Sequence, residues 1–284
     1  MKKLFLIISL ASAVAFANAQ DMTSKKGVPI LPEVKDWSIG FGASNLIDYF
    51  GHLLSNGGNS SSNLVAQQDM TIVGLMVKDE TTSFRAKFRL GFGSKSWDGF
   101  SNQSGSTSSP PATVTDTKKN SNMHIGLGAG IQKNRGKGRL RGIYGAEFGF
   151  MIGSNKDTYT YGNSINSTYT NPASHNFGAL LTDGSTNNVD STGTFRATAD
   201  EMGSTFDINL NGFIGAEYFF APKMSLSAEY GWGLTLGSTG EGKTTWEYYN
   251  GTAATTYDSK SGKSSAFAID VMNPSASLVF HCYF

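Results

Sequence analysis

Phe84-Arg85-Ala86-Lys87-Phe88-Arg89-Leu90-Gly91-Phe92 is the stretch that decides how this chain folds. Every even-numbered position is apolar, and Arg85, Lys87 and Arg89 hold three of the odd ones. A two-residue period puts Phe84, Ala86, Phe88, Leu90 and Phe92 on one face of a β-strand and the cations on the other, whereas a helix would scatter both sets round its circumference. The wet face of a soluble sandwich usually mixes small polar residues. Three cations in a row point either to bulk water or into a polar interior that supplies carboxylates.

The same alternation recurs on both sides. Trp37, Ile39, Phe41 and Ala43 oppose Ser38, Gly40, Gly42 and Ser44, and in Met70–Lys78 the apolar set is Thr71, Val73, Leu75 and Val77. Met123–Gln132 sets Met123, Ile125, Leu127, Ala129 and Ile131 against His124, three glycines and Gln132. Tyr144, Ala146, Phe148, Phe150 and Ile152 follow, with Glu147 opposite. From Thr205 to Phe219, Phe206, Ile208, Leu210, Ile214, Ala216 and Tyr218 alternate with Asp207, Asn209, Asn211, Gly215 and Glu217. Leu226 to Leu236 carries Glu229 on its polar face, and the last segment runs Ala276, Leu278, Phe280, Cys282, Phe284.

Eight such segments are joined by links that are alternately long and short. That asymmetry, with apolar faces of about ten residues and aromatics towards their ends, predicts an all-β fold: an eight-stranded antiparallel transmembrane β-barrel with long extracellular loops and short periplasmic turns. A bilayer tolerates no unpaired sheet edge, so the strands must close, and eight is a self-consistent small barrel. The polar faces are too polar for the core of a soluble sandwich. Ten strands remain an alternative if residues 153–204 hide a further hairpin.

The N-terminus fits export. Lys2 and Lys3 precede an apolar run from Leu4 to about Phe16 and then Ala17-Asn18-Ala19, the layout of a signal peptide over 1–19. Residues 20–36, with Pro29 and Pro32, read as an extended periplasmic leader outside the sheet, and 37–284 as the barrel. Removing Lys2 and Lys3 takes the formal charge from +1 to −1 (1 − 2), so no bulk electrostatic signature of nucleic-acid binding is present. One cysteine, Cys282, excludes an intrachain disulfide framework. Asn45 to Leu54 switches to helical spacing, with Leu46, Tyr49, Phe50, Leu53 and Leu54 on one stripe. A short interfacial helix and a self-packed loop are both open readings of it.

Height above the short turns places Arg85, Lys87, Arg89, Glu147, Glu217 and Glu229 at similar depth in the periplasmic half. An eight-stranded barrel has an interior that side chains fill. The expectation is a buried ion-pair network that plugs the lumen, because unpaired charge there costs several kcal/mol; a narrow gated pore is the alternative. His124 and Asp207 should line the upper lumen. His52, His124, His175 and His281 share no short motif with a nucleophile and an orienting acid, and no metal-ligand spacing occurs, so the chain reads as non-enzymatic and without a cofactor, a lipid-modifying or proteolytic barrel being the lesser alternative. The aromatic loops, with Tyr159, Tyr161, Tyr169, Trp246, Tyr248, Tyr249 and Tyr257, suit either partner or glycan binding or cross-strand stiffening of hairpins.

The terminal Phe284, with Phe280 and Leu278 in alternation before it, resembles the signal read by the barrel-insertion machinery of Gram-negative outer membranes. Cys282 departs mildly from that pattern. Ser24-Lys25-Lys26-Gly27-Val28-Pro29-Ile30-Leu31-Pro32-Glu33, then Trp37-Ser38-Ile39-Gly40, and the Thr82–Lys87 junction look like the opening of uncharacterised barrels common in Bacteroidota. In architecture the chain is similar to OmpA/OmpX-type and porin-family barrels. The resemblance implies a monomer in the outer membrane whose partners are lipids, the insertion machinery and periplasmic chaperones. It implies no activity, and with the chain ending at Phe284 no C-terminal peptidoglycan-binding domain is expected.

Overall fold

The computed structural model describes residues 23–42 and 70–284, with residues 70, 71 and 270–276 by backbone alone. The signal peptide, the stripe from Leu46 to Leu54 and His52 lie outside the described residues. Among the described residues the regular structure is all β: β1 (Trp37–Gly42), β2 (Met70–Asp79), β3 (Thr82–Asn102), β4 (Thr113–Arg135), β5 (Leu140–Thr160), β6 (Arg196–Ala221), β7 (Met224–Thr239), β8 (Lys243–Tyr249), β9 (Ala254–Lys260) and β10 (Ser264–Tyr283).

Eight of these strands close into a ring. β1 to β7 pair in sequence, all antiparallel; β7 pairs with β10, and β10 returns to β1. β8 and β9 form a hairpin that extends the early part of β6, outside the ring. The two additional strands therefore come from the link after β7. Residues 161–195 contribute only an isolated bridge between Val189 and Arg196.

One end of the ring carries the short turns: Glu80-Thr81, residues 136–139, and Pro222-Lys223. At Gly136 φ is +115°, a conformation that L side chains rarely adopt. The other end carries the long links, but polar sequence between the apolar segments is largely strand. β3 and β4 pair from Thr82↔Lys133 out to Asn102↔Thr113, leaving residues 103–112 as the loop. Thr, Ser and Asn in alternation have no apolar face to reveal a strand, yet their backbones pair as well as any others.

The outward face is apolar. Trp37, Phe84, Phe88, Leu127, Phe148, Leu210, Ile214, Tyr230, Leu234 and Phe284 are all exposed there. Trp37 and Phe284 stack with ring centroids 4.8 Å apart, joining the first and last ring strands. β2 departs from the expectation. Val73, Leu75 and Val77 are buried, and Met76, 50 % exposed, points out. Register explains it: Met76 pairs with outward Phe84, and Leu75 with inward Arg85. Both faces of β2 are apolar, so alternation alone assigned them the wrong way round.

The leader also departs from expectation, since it enters the short-turn end. Ile30, 1 % exposed, packs with Leu75, Val77, Phe219 and Tyr283. Backbone bonds hold it: Lys223 N–H donates to the Ile30 carbonyl at 2.9 Å, and Lys35 N–H to that of Val77 at 2.8 Å.

At the opposite end, residues 161–195 pack on inward positions of the extended strands. Tyr159, Ala179, Leu181, Ala197 and Trp246 make a second apolar core. Buried carboxylates order the chain around it. Asp116 accepts from the N–H of Gly162 (2.8 Å) and His175 (2.6 Å), and Asp200 from the hydroxyls of Thr182 (2.5 Å) and Thr244 (2.7 Å).

Candidate functional site

Inside the ring, just beyond Ile30, the inward residues of β3, β4, β5 and β7 meet. Arg85, 3 % exposed, forks onto Glu229, with Nη1 to Oε1 at 2.8 Å and Nη2 to Oε2 at 2.6 Å. Its Nη1 also donates to Gln132 Oε1 at 3.1 Å, and its guanidinium lies 4.5 Å from the centre of the Phe213 ring. Arg85 Nε approaches Glu147 Oε2 to 3.2 Å, an ion pair without hydrogen-bond geometry, so neither atom has a hydrogen-bond partner. Glu147 Oε1 instead accepts from Lys87 Nζ at 2.5 Å. A bidentate arginine–carboxylate pair is the strongest common form of charge-assisted hydrogen bond.

Glycine makes the room. Arg85 pairs across β3–β4 with Gly130, Lys87 with Gly128 and Arg89 with Gly126, while Gly149 faces Gly128 from β5. At Gly130 an added Cβ would meet Glu147 Cβ at 2.8 Å, so that contact requires glycine.

Of the six residues expected in the network, Arg85, Lys87, Glu147 and Glu229 are linked directly. Glu217, 2 % exposed, sits towards the short turns, accepting from Ser225 Oγ at 2.5 Å and Tyr283 Oη at 2.8 Å. Arg89 lines a cavity of about 350 Å³ with Lys87, Glu147, Asn209 and Asn211. A second cavity of about 210 Å³ is bounded by Lys87, Glu147, Asn211, Glu229 and Thr235. His124, opposite Gly91 and Gly153, lies further towards the long-loop end, as does Asp207, whose Oδ1 would be 2.7 Å from a Cβ at Gly237. Leu278 and Phe280 lie on the outer side of β10, half-buried, and Phe284 is exposed at its end.

Four contributors were not singled out by sequence: Gln132, Phe213, Phe219 and Ile30. Phe213 and Phe219 hold odd, inward positions of β6, and their place in that alternation was the available signal. Ile30 gave none, because a stopper between two prolines has no period.

The crown at the long-loop end is the other candidate. Arg196, 3 % exposed, donates from Nε to Glu247 at 2.6 Å and from Nη2 to the Asn163 carbonyl at 2.8 Å, and its guanidinium lies 4.3 Å from the Tyr161 ring centre. Burial pushes the Tyr161 phenol well above its ordinary value. His175 packs edge-on to Phe177, with centroids 4.8 Å apart. Phe195, Tyr248 and Tyr257 form an aromatic trio. Most of these rings pack against one another in the crown, while Tyr169, Leu180 and Tyr257 stay exposed. No model of a known protein family matches this sequence, and no curated protein matches it.

Proposed function

We propose that the chain is a Gram-negative outer-membrane β-barrel with a closed lumen, non-enzymatic, serving envelope structure or surface interaction through its crown. The observation that carries this is an inversion of the usual packing. Phe88, Leu127, Phe148, Leu210, Ile214, Leu234 and Ile269 are exposed around the ring, while Arg85, Glu217 and Glu229 are buried inside it. Water would penalise that outer surface heavily, and acyl chains would not. From Tyr144 to Ile152 the outward apolar run of β5 spans roughly 19–22 Å at strand rise and barrel tilt, approaching the apolar band of such proteins. Short turns then face the periplasm and the crown faces outside.

Ser38 Oγ and His281 Nδ1 lie 3.4 Å apart, and both residues are buried, 2 % and 1 % exposed. The cavities of about 210 and 350 Å³ favour a second reading, a small pore for polar solutes. Refolding into phosphatidylcholine vesicles, scored by heat-modifiable mobility, tests the barrel. A chain that stays folded and monodisperse without detergent would refute it. Planar-bilayer recording separates the two readings: silence supports the closed lumen, and stable stepwise currents support the pore.

A further inference from the structure

Between the leader and two of the short turns lies a cleft of about 850 Å³ that shares no lining residue with the two cavities inside the ring. Lys133, Arg135, Lys137 and Arg141 line it from β4, β5 and their turn; Glu33 and Glu80 are its carboxylates, giving a net charge of +2 (4 − 2). The ion pairs among the described residues use other cations. Lys133 Nζ donates to the Thr82 hydroxyl at 2.7 Å, and Arg141 Nε is buried without a hydrogen-bond partner, its guanidinium 5.4 Å from the Phe219 ring centre.

The cleft also has a greasy side. Leu31, Val34 and Tyr144 line it, Val34 being 51 % and Tyr144 42 % exposed. Tyr144 is paired with Lys133, and both continue the outward face of the ring just past Ile131. The cleft therefore opens where the apolar band ends and the cations begin. A free anion would use only half of this surface; an anionic amphiphile uses both.

We propose that this cleft binds the phosphate of an anionic phospholipid of the inner leaflet, with the acyl chain running along Tyr144. This rests on the barrel reading. Guanidinium groups match phosphate oxygens in pairs, lysines add point charge, and the leader supplies the opposite wall. Anchoring the leader and the β4–β5 turn to lipid fixes the short-turn end at headgroup depth.

Native mass spectrometry of the mature protein with equal phosphatidylglycerol and phosphatidylcholine tests it. Phosphatidylglycerol should be retained selectively, and excess inorganic phosphate should not displace it. Arg135→Gln at the end of β4 with Lys137→Gln in the turn that follows, both exposed, should cut that selectivity about thirtyfold. Equal retention of both lipids, unchanged selectivity in the double variant, or displacement by inorganic phosphate would each overturn the lipid site. Folding into pure phosphatidylcholine, which lacks the proposed ligand, is scored in parallel. Folding there without lipid selectivity sinks the cleft alone, and failure to fold in any vesicle sinks the barrel and the cleft together.

Discussion

Replacing Arg85 with Ala should be the most damaging single change in the lumen. The substitution removes both hydrogen bonds to Glu229 (2.8 and 2.6 Å), the bond to Gln132 (3.1 Å) and the stacking on Phe213. Glu229, with 4 % of its side chain exposed, is left charged and without its principal partner, and Glu147 keeps its ion pair with Lys87. Breaking a buried pair by deleting one partner costs about 3–5 kcal/mol, because the stranded charge retains its desolvation penalty. Lys87→Ala should cost less, since that side chain is 31 % exposed and its pairing is screened. The assay is equilibrium urea unfolding of vesicle-embedded protein followed by tryptophan fluorescence. Arg85→Met with Glu229→Leu should recover most of the loss, because removing both charges leaves no stranded ion. If Arg85→Ala unfolded within about 1 kcal/mol of the parent, Glu229 would have to be hydrated and the lumen open to water.

Two other perturbations test the two ends. Ile30→Asp places a carboxylate where Leu75, Val77, Phe219 and Tyr283 converge, and should free the leader. Losing that burial is worth about 2–3 kcal/mol, so tryptic cleavage at Lys35 should rise at least tenfold while the ring stays folded. In the crown, burial works to raise the Asp183 carboxyl, but donors from Ser185 N–H (3.0 Å) and Trp246 Nε1 (2.9 Å) outweigh it and hold it below its ordinary value. A carboxyl depressed in the folded state contributes fully above its unfolded value of about 3.9, and the contribution fades as pH falls through the folded one. Amide protection at Ser185 should therefore drop below about pH 4, and Asp183→Asn should remove that dependence.

Alternation found the ring strands where one face is greasy and the other polar, as from Phe84 to Phe92. It misjudged β2, because Ile72 and Met76 compete with Val73, Leu75 and Val77 for either face. Only pairing to Arg85 settles that choice, and pairing is a long-range fact. The outer halves of β3 and β4 escaped for the opposite reason: with polar and charged residues on both faces, little marks the period. The carboxylate partners of Arg85 were legible because a closed interior must neutralise its own charge. Their geometry was not, since the stagger between strands decides that Glu229 takes the fork and Glu147 the side approach. The Ile30 stopper depends on the leader folding back between β2 and the β6–β7 turn. Its two prolines fit extended backbone equally well inside or outside the ring.

The inverted strand also explains why the cations cross the lumen as they do. On β3, Arg85 and Lys87 stand between two unlike neighbours, Leu75 and Val73 of β2 on one side and Gly130 and Gly128 of β4 on the other. An aliphatic wall offers a guanidinium no partner, whereas a row without side chains leaves a trough. The cations lean across that trough to Glu147 on β5, and Arg85 reaches on to Glu229 on β7. Leu75 and Val77, joined by Ile30, Phe219 and Tyr283, lie between the ion pairs and the short-turn end. Excluding water from one side lowers the local dielectric, which strengthens the Arg85–Glu229 fork and raises the cost of breaking it. Apolar stopper and ion pair thus complement each other: the first shields the pair on its short-turn side, and the pair ties β3 to β7 across the ring, where a hydrophobic cluster alone would leave the buried charges unanswered.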